Sequence, residues 1–461
     1  MVGLASFIKS PASYRVLVVG SGKSGFAALR FVHGLGCSVA LSEKAAESAL
    51  DKKMIKWLRD RDIAYETGGH QQTTFLDADL IVVSPGVPLD MAELTAARAA
   101  GIEIIGELGL GAAYLRIPIV AVTGTNGKTT VTKLIGELLQ AAGRKVFVGG
   151  NIGTPLLDYL LGDQDAEIAV LEVSSYQLDT AGKFRPDVAL LLNISPDHLD
   201  RYPSYDDYAA SKMKIFAWQQ PDDLAILNAD DEDIVQRVEK DPVPARTVWF
   251  GGELHGKPGA VVRDGEIVLQ GMFTAEEKYQ LPAGLRKSPN RENAMAAVLA
   301  ARIMACPLEA INRGLAEFKR PPHRLFKVSE IKGVSYFDDS KATNVGAVRS
   351  ALEGMTQPVI LIAGGRDKGG DYRYLADMVQ AKVKKMILIG EAREKIAAAL
   401  GDLVGIEMAD SLEEAVLKAA RYAITGDAVL LSPACASFDM FQSYADRGEK
   451  FQNLVRNLGT K

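Results

Sequence analysis

The sequence predicts an α/β protein of three domains, each built on a mainly parallel sheet, and three observations carry that expectation. The chain has 461 residues, 48% hydrophobic and 24% charged, which suits a globular protein too long for one core and long enough for roughly three units of about 150 residues. Apolar runs of strand length alternate with helical patterns almost from end to end, as expected for strands buried between two layers of helices. Two of those runs lead straight into glycine-rich turns that open a helix, "VLVVGSGKSG" and "VAVTGTNGKTT".

Taken in order, the first block of strands runs from "YRVLVVG" through "VALSEK" and "ADLIVVSPGV" to "GIEIIGE". The second opens with "IPIVAVTG" and continues through "AEIAVLEVSSYQL", "VALLLNIS" and "DLAILNADD". It closes on "RTVWFGGELHGKPGAVVRDGEIVLQGMF", where Gly and Asp-Gly signals mark turns between short strands and predict a small additional sheet. Two prolines in "FKRPPHRLF" stop a helix and favour an extended connection. A third block follows with "GVSYFDDS", "PVILIAGG", "KMILIG" and "DAVLLSPA". Boundaries are expected near Glu107 and Arg320, giving domains 1–106, 107–320 and 321–461.

Composition narrows the function. A net charge of −5 offers no general basic field for nucleic acid. Cys37, Cys306 and Cys435 are odd in number and far apart, which fits a reducing cytoplasm and no disulfide framework. The N-terminus lacks a secretory pattern, and no apolar run reaches the ~18 residues of a membrane span. A cytoplasmic monomer without membrane or nucleic-acid partners is expected.

The turn after "VAVT" has the features of a phosphate loop. From Thr123 to Thr130 it offers backbone N–H groups at a helix N-terminus, where the dipole favours an anion. Gly124 and Gly127 permit close approach around Thr125 and Asn126. Lys128 can reach terminal phosphates as a point charge, and the Thr129 hydroxyl can ligate Mg²⁺. The usual loop has a further glycine where this chain has Val122, which predicts a shortened loop. The first turn has Gly20, Gly22 and Gly25 in G-x-G-x-x-G spacing, with Glu43 near the end of the next strand. Alone it fits an NAD-dependent dehydrogenase, another nucleotide, or a packing turn.

Other motifs add polar groups after apolar strands. "LEVSSYQL" places Glu172 at a strand end, with Ser174 and Gln177 just beyond. "NISPDHLDRY" sets His198, one of only five histidines, between acidic residues, as a metal or phosphate contact. His323 lies in "PPHRLF". Lys212 in "YAASKMKIF" reads from its neighbours alone as a snorkelling surface lysine.

Eight motifs, "VTGTNGKTT", "GGNIG", "LEVSSYQL", "NISPDHLDRY", "SPNREN", "PPHRLF", "DDSKATN" and "SPACASFDMF", run in order along essentially the whole chain. In them the chain resembles the bacterial Mur ligases, ATP-dependent amide ligases that build the peptide stem of peptidoglycan. "DDSKATN" and "SPACASFDMF" are similar to the D-glutamate-adding branch. The resemblance implies a Rossmann-like N-terminal domain for UDP, a central P-loop-type ATPase domain, and a Rossmann-like C-terminal domain that brings the amino acid. The substrates it implies are ATP, UDP-N-acetylmuramoyl-L-alanine and D-glutamate, joined through an acyl phosphate.

The resemblance also assigns residues. Gly124, Thr125, Asn126, Gly127, Lys128, Thr129, Thr130, Asn290, Asn293, Arg324 and Asp339 would bind ATP. Gly22, Lys23, Ser24, Ser42, Glu43, Ser84, Gly86, Asn151, Ser174 and Gln177 would bind the UDP-sugar. Some relatives have an acidic-Thr-Arg triplet near the uracil, where this chain has Ser42, Glu43 and Lys44. Lys341, Thr343, Lys368, Ser437, Phe438 and Tyr444 would hold D-glutamate. Lys128, Glu172, His198 and Lys212 would be catalytic, and two Mg²⁺ ions would draw on Thr129, Glu172, His198 and Lys212, the last as a CO₂-derived carbamate. Helix capping at Asn290 and Asn293, a domain-linking salt bridge at Arg324 and loop capping at Asp339 would use the same residues without a ligand. A folylpolyglutamate synthetase and a nucleotide-sensing protein without turnover are the competing functions; "DDSKATN" speaks against the first.

Overall fold

The computed structural model describes residues 4–273, 275–319 and 321–459. The expected boundary at Arg320 lies outside the described residues. Among the described residues there are three sheets.

In the first, β1 (Arg15–Val19), β2 (Ser38–Glu43), β3 (Ala64–Thr67), β4 (Leu80–Val83) and β5 (Glu103–Gly106) are all parallel, in the order β3-β2-β1-β4-β5. The order reverses between β1 and β4, which opens a crevice at their carboxyl ends. Gly20 and Ser84 meet there, the Ser84 hydroxyl donating to the Gly20 carbonyl at 3.2 Å.

The central sheet holds β6 (Ile119–Thr123), β7 (Val146–Gly150), β8 (Ile168–Glu172), β9 (Val188–Leu191), β10 (Leu224–Asn228), β11 (Arg246–Phe250), β12 (Gly259–Arg263), β13 (Glu266–Gln270) and β14 (Glu277–Gln280), in the order β14-β13-β12-β11-β10-β9-β6-β8-β7. The expected separate small sheet is corrected here. The parallel strands end at β12, joined to β11 through only Trp249↔Gly259 and Phe250↔Ala260, and β13 and β14 continue the same sheet antiparallel. The Asp-Gly signal at Asp264 and Gly265 is the β12–β13 hairpin, both residues having positive φ, as a tight two-residue turn demands.

The third sheet has β15 (Phe326–Ile331), β16 (Val334–Asp338), β17 (Val359–Gly364), β18 (Val383–Ile389), β19 (Gly405–Met408) and β20 (Ala428–Leu431), in the order β15-β16-β20-β17-β18-β19. Only β15 is antiparallel. The loops after β16, β20 and β17 are therefore neighbours at one sheet edge.

Helices cover these sheets with regular apolar faces. The helix Lys128–Ala141 buries Val131, Leu134, Ile135, Leu138 and Leu139, the i, i+3, i+4, i+7 spacing of one face. One continuous apolar core joins the first and central units, running from Phe7 and Val16 through Leu108 to Leu156 and Leu191. Among the described residues no helix is long and apolar enough to cross a membrane.

Candidate active site

The phosphate loop is short because Val122 belongs to β6, fully buried and paired with Glu172 on one side and Leu190 on the other. The turn then occupies only Gly124 to Gly127. Gly127 caps the helix at φ +85°, a left-handed conformation costly for a residue with a side chain. The segment after β9 pins the loop. Asn126 N–H donates to Asn193 Oδ1 at 2.8 Å, and the Thr125 hydroxyl accepts from Ser195 N–H at 3.0 Å. Lys128 Nζ donates to the carbonyls of Gly124 and Thr125 at 2.7 and 2.8 Å. Lys212 Nζ donates to the same Gly124 carbonyl at 2.9 Å. Far from snorkelling, Lys212 is buried, and its ammonium lies over the Tyr208 ring. Burial pushes its pKa well below the ordinary lysine value, and the Lys128 charge pushes the same way.

Glu172 closes the strand beside the loop. Its Oε1 accepts from Asn151 Nδ2 at 2.8 Å, while Oε2 is buried without a partner. A buried orphan carboxylate oxygen is costly unless a cation meets it. His198 sits at φ +58° with Nδ1 2.7 Å from the Tyr176 hydroxyl. Burial lowers its pKa to about 4, and although Asp197 opposes this, Lys368, Lys128 and Lys212 add to it. The imidazole is thus neutral at physiological pH, the form that ligates metals. Burial alone would raise the pKa of Asp197, but Lys368, His198 and Asn344 hold it below the usual carboxylate range. Among the described residues no three His, Cys, Asp or Glu side chains converge as a metal cluster.

A cleft of about 450 Å³ opens beside the loop between the central and third units. Asn126, Gly127, Thr130, Asn290, Asn293, Arg324 and Asp339 all line it. Asn290 opens its helix without making a side-chain cap. Arg324 has no ion pair among the described residues; burial lowers its pKa while Glu172 and Asp339 oppose that shift. Asp339 does brace its loop, Oδ1 accepting from Leu325 N–H at 3.0 Å and Oδ2 from the Ser432 hydroxyl at 2.8 Å. Burial raises its pKa to about 7.

The third unit brings further cations. Lys341 also lines the cleft and packs 3.7 Å from the Tyr444 ring centroid; burial and then the Arg324 charge lower its pKa to about 8. Lys368 Nζ lies 3.4 Å from the Thr343 hydroxyl and 3.9 Å from Asp197 Oδ1. Asn344 Nδ2 donates to Asp197 Oδ2 at 2.9 Å and lies 3.3 Å from Asn126 Oδ1. Ser437 is buried, while Phe438 is 65% exposed. Lys128, Arg324, Lys341 and Lys368 thus surround Glu172 and Asp197, an excess of positive charge suited to polyanions.

The family model described as the Mur ligase middle domain matches residues 122–301. The Mur ligase MurD-like N-terminal domain matches 14–106, and the Mur ligase glutamate ligase domain 323–435. This chain belongs to the Mur ligase family. It is 46% identical over 446 residues to a UDP-N-acetylmuramoylalanine--D-glutamate ligase of Desulfosudis oleivorans, 96% of each chain being covered. It is 44% identical over 449 residues to the enzyme of that name from Koribacter versatilis, covering 96% of this chain and 97% of the relative. Its fold is similar to that of the MurF ligase from Thermotoga maritima solved with ADP, at a TM-score of 0.59 and 19% identity over 91% of this chain and 96% of that one.

In this Mur ligase the expected UDP-sugar residues divide into two groups. Gly22 caps the helix Lys23–Gly34 at the β1/β4 crevice, with Ser24 in its first turn and Ser84 and Gly86 opposite after β4. Glu43 shapes the loop, accepting from Ser21 N–H at 2.7 Å and Ala45 N–H at 2.8 Å. Ser42 is fully buried, its hydroxyl 2.5 Å from Glu66 Oε1 and 2.7 Å from His70 Nδ1, which joins β2 to the segment around β3. Asn151 is tied to Glu172 in the central unit. Ser174 and Gln177 bond each other in a capping box on the helix Ser175–Leu178.

Sequence reasoning passed over Asn193, Asp197 and Asn344, which tie the phosphate loop to the third unit. Asp197 stood next to His198 in "PDHLD", and Asn344 closes "DDSKATN", so both were within reach. His323 proves structural, Nδ1 lying 2.6 Å from buried Asp338 Oδ2. Cys435 is a buried free thiol 3.1 Å from the Tyr372 hydroxyl.

Proposed function

We propose that this ligase joins D-glutamate to UDP-N-acetylmuramoyl-L-alanine in the cytoplasm, converting ATP to ADP and phosphate. The observation that carries the reading is the convergence of Lys128, Arg324, Lys341 and Lys368, cations from two units, around one short phosphate loop; the full-length similarity to D-glutamate ligases supports the choice of amino acid. ATP would lie in the cleft with its β- and γ-phosphates toward the loop N–H groups, Lys128 and Arg324. The alanyl carboxylate takes the γ-phosphoryl group and becomes an acyl phosphate. The D-glutamate amine attacks its carbonyl carbon, and the tetrahedral adduct loses phosphate to leave the amide. Lys341, Thr343, Lys368, Ser437, Phe438 and Tyr444 would orient D-glutamate, which brings two carboxylates that require cations. Gly22, Lys23, Ser24, Ser84 and Gly86 would hold the UDP end.

The residues present fit Mg²⁺: Glu172 offers an unpartnered buried oxygen, Thr129 a hydroxyl at the helix start, and His198 a neutral imidazole. Bound there, Mg²⁺ would neutralise charge as two anions approach. Lys212 has the lowered pKa that reaction with CO₂ requires, and as a carbamate it would add oxygen ligands. The three functional units are assigned to 1–106, 107–320 and 321–461, in a monomer without nucleic-acid or membrane partners.

Phosphate release from ATP tests the reading. It should require both the UDP-muramoyl substrate and D-glutamate, with L-glutamate, meso-diaminopimelate and L-lysine poor substitutes. Equal turnover with any of these would refute the assignment.

A further inference from the structure

Arg447 lies outside every motif that marks the site, in the helix Tyr444–Leu458. Its side chain is completely buried, yet no carboxylate among the described residues pairs with it. The guanidinium is spent on loop groups instead. Nε donates to the Ser340 hydroxyl at 2.9 Å, and Nη2 donates to the carbonyls of Ser340 at 2.9 Å and Cys435 at 3.2 Å. Nη1 lies 3.5 Å from the Ala436 carbonyl. Ser340 extends the connection, its own hydroxyl donating to the Tyr444 carbonyl at 2.8 Å.

The third loop is reached at Gly365. Its φ is +136°, and a Cβ there would stand 2.3 Å from the Ala436 carbonyl oxygen and 3.2 Å from Arg447 Nη1, so glycine lets this loop pack against the loop after β20 with the guanidinium alongside. One side chain thus abuts the loops after β16, β20 and β17. Those loops carry Lys341 and Thr343, then Ser437 and Phe438, then Lys368. Burial of the guanidinium outweighs the opposing influence of Cys435, Asp439 and Asp338 and lowers its pKa to about 10, a desolvation cost that an apolar residue filling the space would not carry. Packing therefore does not account for an arginine here. The planar fork fixes several acceptors at once, which the point charge of a lysine does not.

We propose that Arg447 is a positioning residue for the amino-acid substrate, tying three loops into one unit and so setting the spacing of the cations that hold a small dicarboxylate. The proposal rests on the D-glutamate reading above. It is tested in the full chain with Ser340→Ala, Arg447→Lys and Arg447→Met, measuring phosphate release while one substrate is varied and the others saturate. KM for D-glutamate should rise least in Ser340→Ala, about tenfold in Arg447→Lys and most in Arg447→Met. KM for ATP and for the UDP-substrate should stay within about twofold, and kcat should fall by less than KM rises. An unchanged D-glutamate KM in Arg447→Lys, or equal rises in all three constants with lowered stability, overturns the proposal. If Arg447→Met does not fold, the two milder variants decide. A wild-type protein inactive with D-glutamate defeats the parent reading; an active wild type with an indifferent Arg447→Lys defeats only this inference.

Discussion

After β1 and again after β6, the chain turns on glycine and presents a lysine as the first residue of a helix, Lys23 in one case and Lys128 in the other. Both turns follow buried parallel strands, and both helices are capped by glycine rather than by a side chain. Their surroundings differ. Lys23 is exposed, and the neighbouring carboxylate, Glu43, is committed to backbone N–H groups. Lys128 is bonded to two loop carbonyls within a ring of charges, Glu172 and Asp197 favouring its ammonium and Arg324 and Lys368 opposing it. A glycine turn supplies helix-end N–H groups in either case. Segments distant in sequence set the charges that each turn faces.

The comparison breaks most sharply at the two lysines. Lys128→Ala should cut turnover by roughly 10²–10³-fold at saturating ATP, the scale of losing one preorganised charge at a reacting centre. Lys23→Ala should leave kcat nearly unchanged and raise only the KM for the UDP-substrate. Comparable kcat losses in both variants would show that the loops do not differ in this way. Lys212→Ala comes next. Its ammonium shares the Gly124 carbonyl with Lys128, and the carbamate reading predicts loss of most activity with partial rescue by short carboxylates. Full activity without any added carboxylate would remove Lys212 from the mechanism.

Asn344→Ala should have a smaller effect. It deletes a bond to buried, ionised Asp197 across the central and third units, worth about 1.5–3 kcal/mol for a charged acceptor. kcat/KM should fall roughly tenfold, and small-angle scattering should show a more open arrangement with nucleotide present. Indistinguishable scattering and rates would mean that these two units dock through other contacts.

These tests fall on residues of unequal legibility in the sequence: glycine turns mark Lys23 and Lys128, whereas Asn344 carries no such signal. Apolar periodicity with Gly and Pro signals gave all three sheets, because strands buried on both faces need continuous apolar runs. It did not tell a new sheet from the extension of an old one, since β11 and β12 join through two residue pairs that leave no local pattern. Lys128, Glu172 and His198 were readable because each stands at or after the end of an apolar strand, Glu172 as the last residue of β8, where parallel sheets open their crevices. Lys212 was misread from its neighbours, since burial of a helical lysine depends on what covers it, here Tyr208 and the Gly124 carbonyl. Arg447 was invisible: a basic residue in an amphipathic helix reads as solvated, and only the topology brings three loops to it.

The smallest expected effect concerns the core shared by the domains that carry the two loops. Glu107 opens the helix Glu107–Tyr114 within that core, its Oε1 accepting from Leu157 N–H at 2.8 Å and its Oε2 buried without a partner. Burial raises its pKa from the ordinary 4.5 to about 7, with the Asp158 charge adding to the shift. A folded-state pKa above the unfolded one means that folding favours the protonated carboxyl. The associated stability is full below about pH 4.5 and lost as pH rises through about 7. Glu107→Gln keeps an acceptor for Leu157 and cannot ionise, so it removes this dependence. Between pH 6 and pH 8 the wild type should therefore lose about 1 kcal/mol more unfolding free energy than Glu107→Gln. Groups such as Asp339 and His198 titrate in both proteins and cancel in the difference. Urea unfolding at the two pH values measures it, and the Lys128 and Lys23 contrast should persist in the Glu107→Gln background. Parallel pH dependences in the two proteins would show that Glu107 stays ionised, and that the junction beneath the loops accommodates its charge.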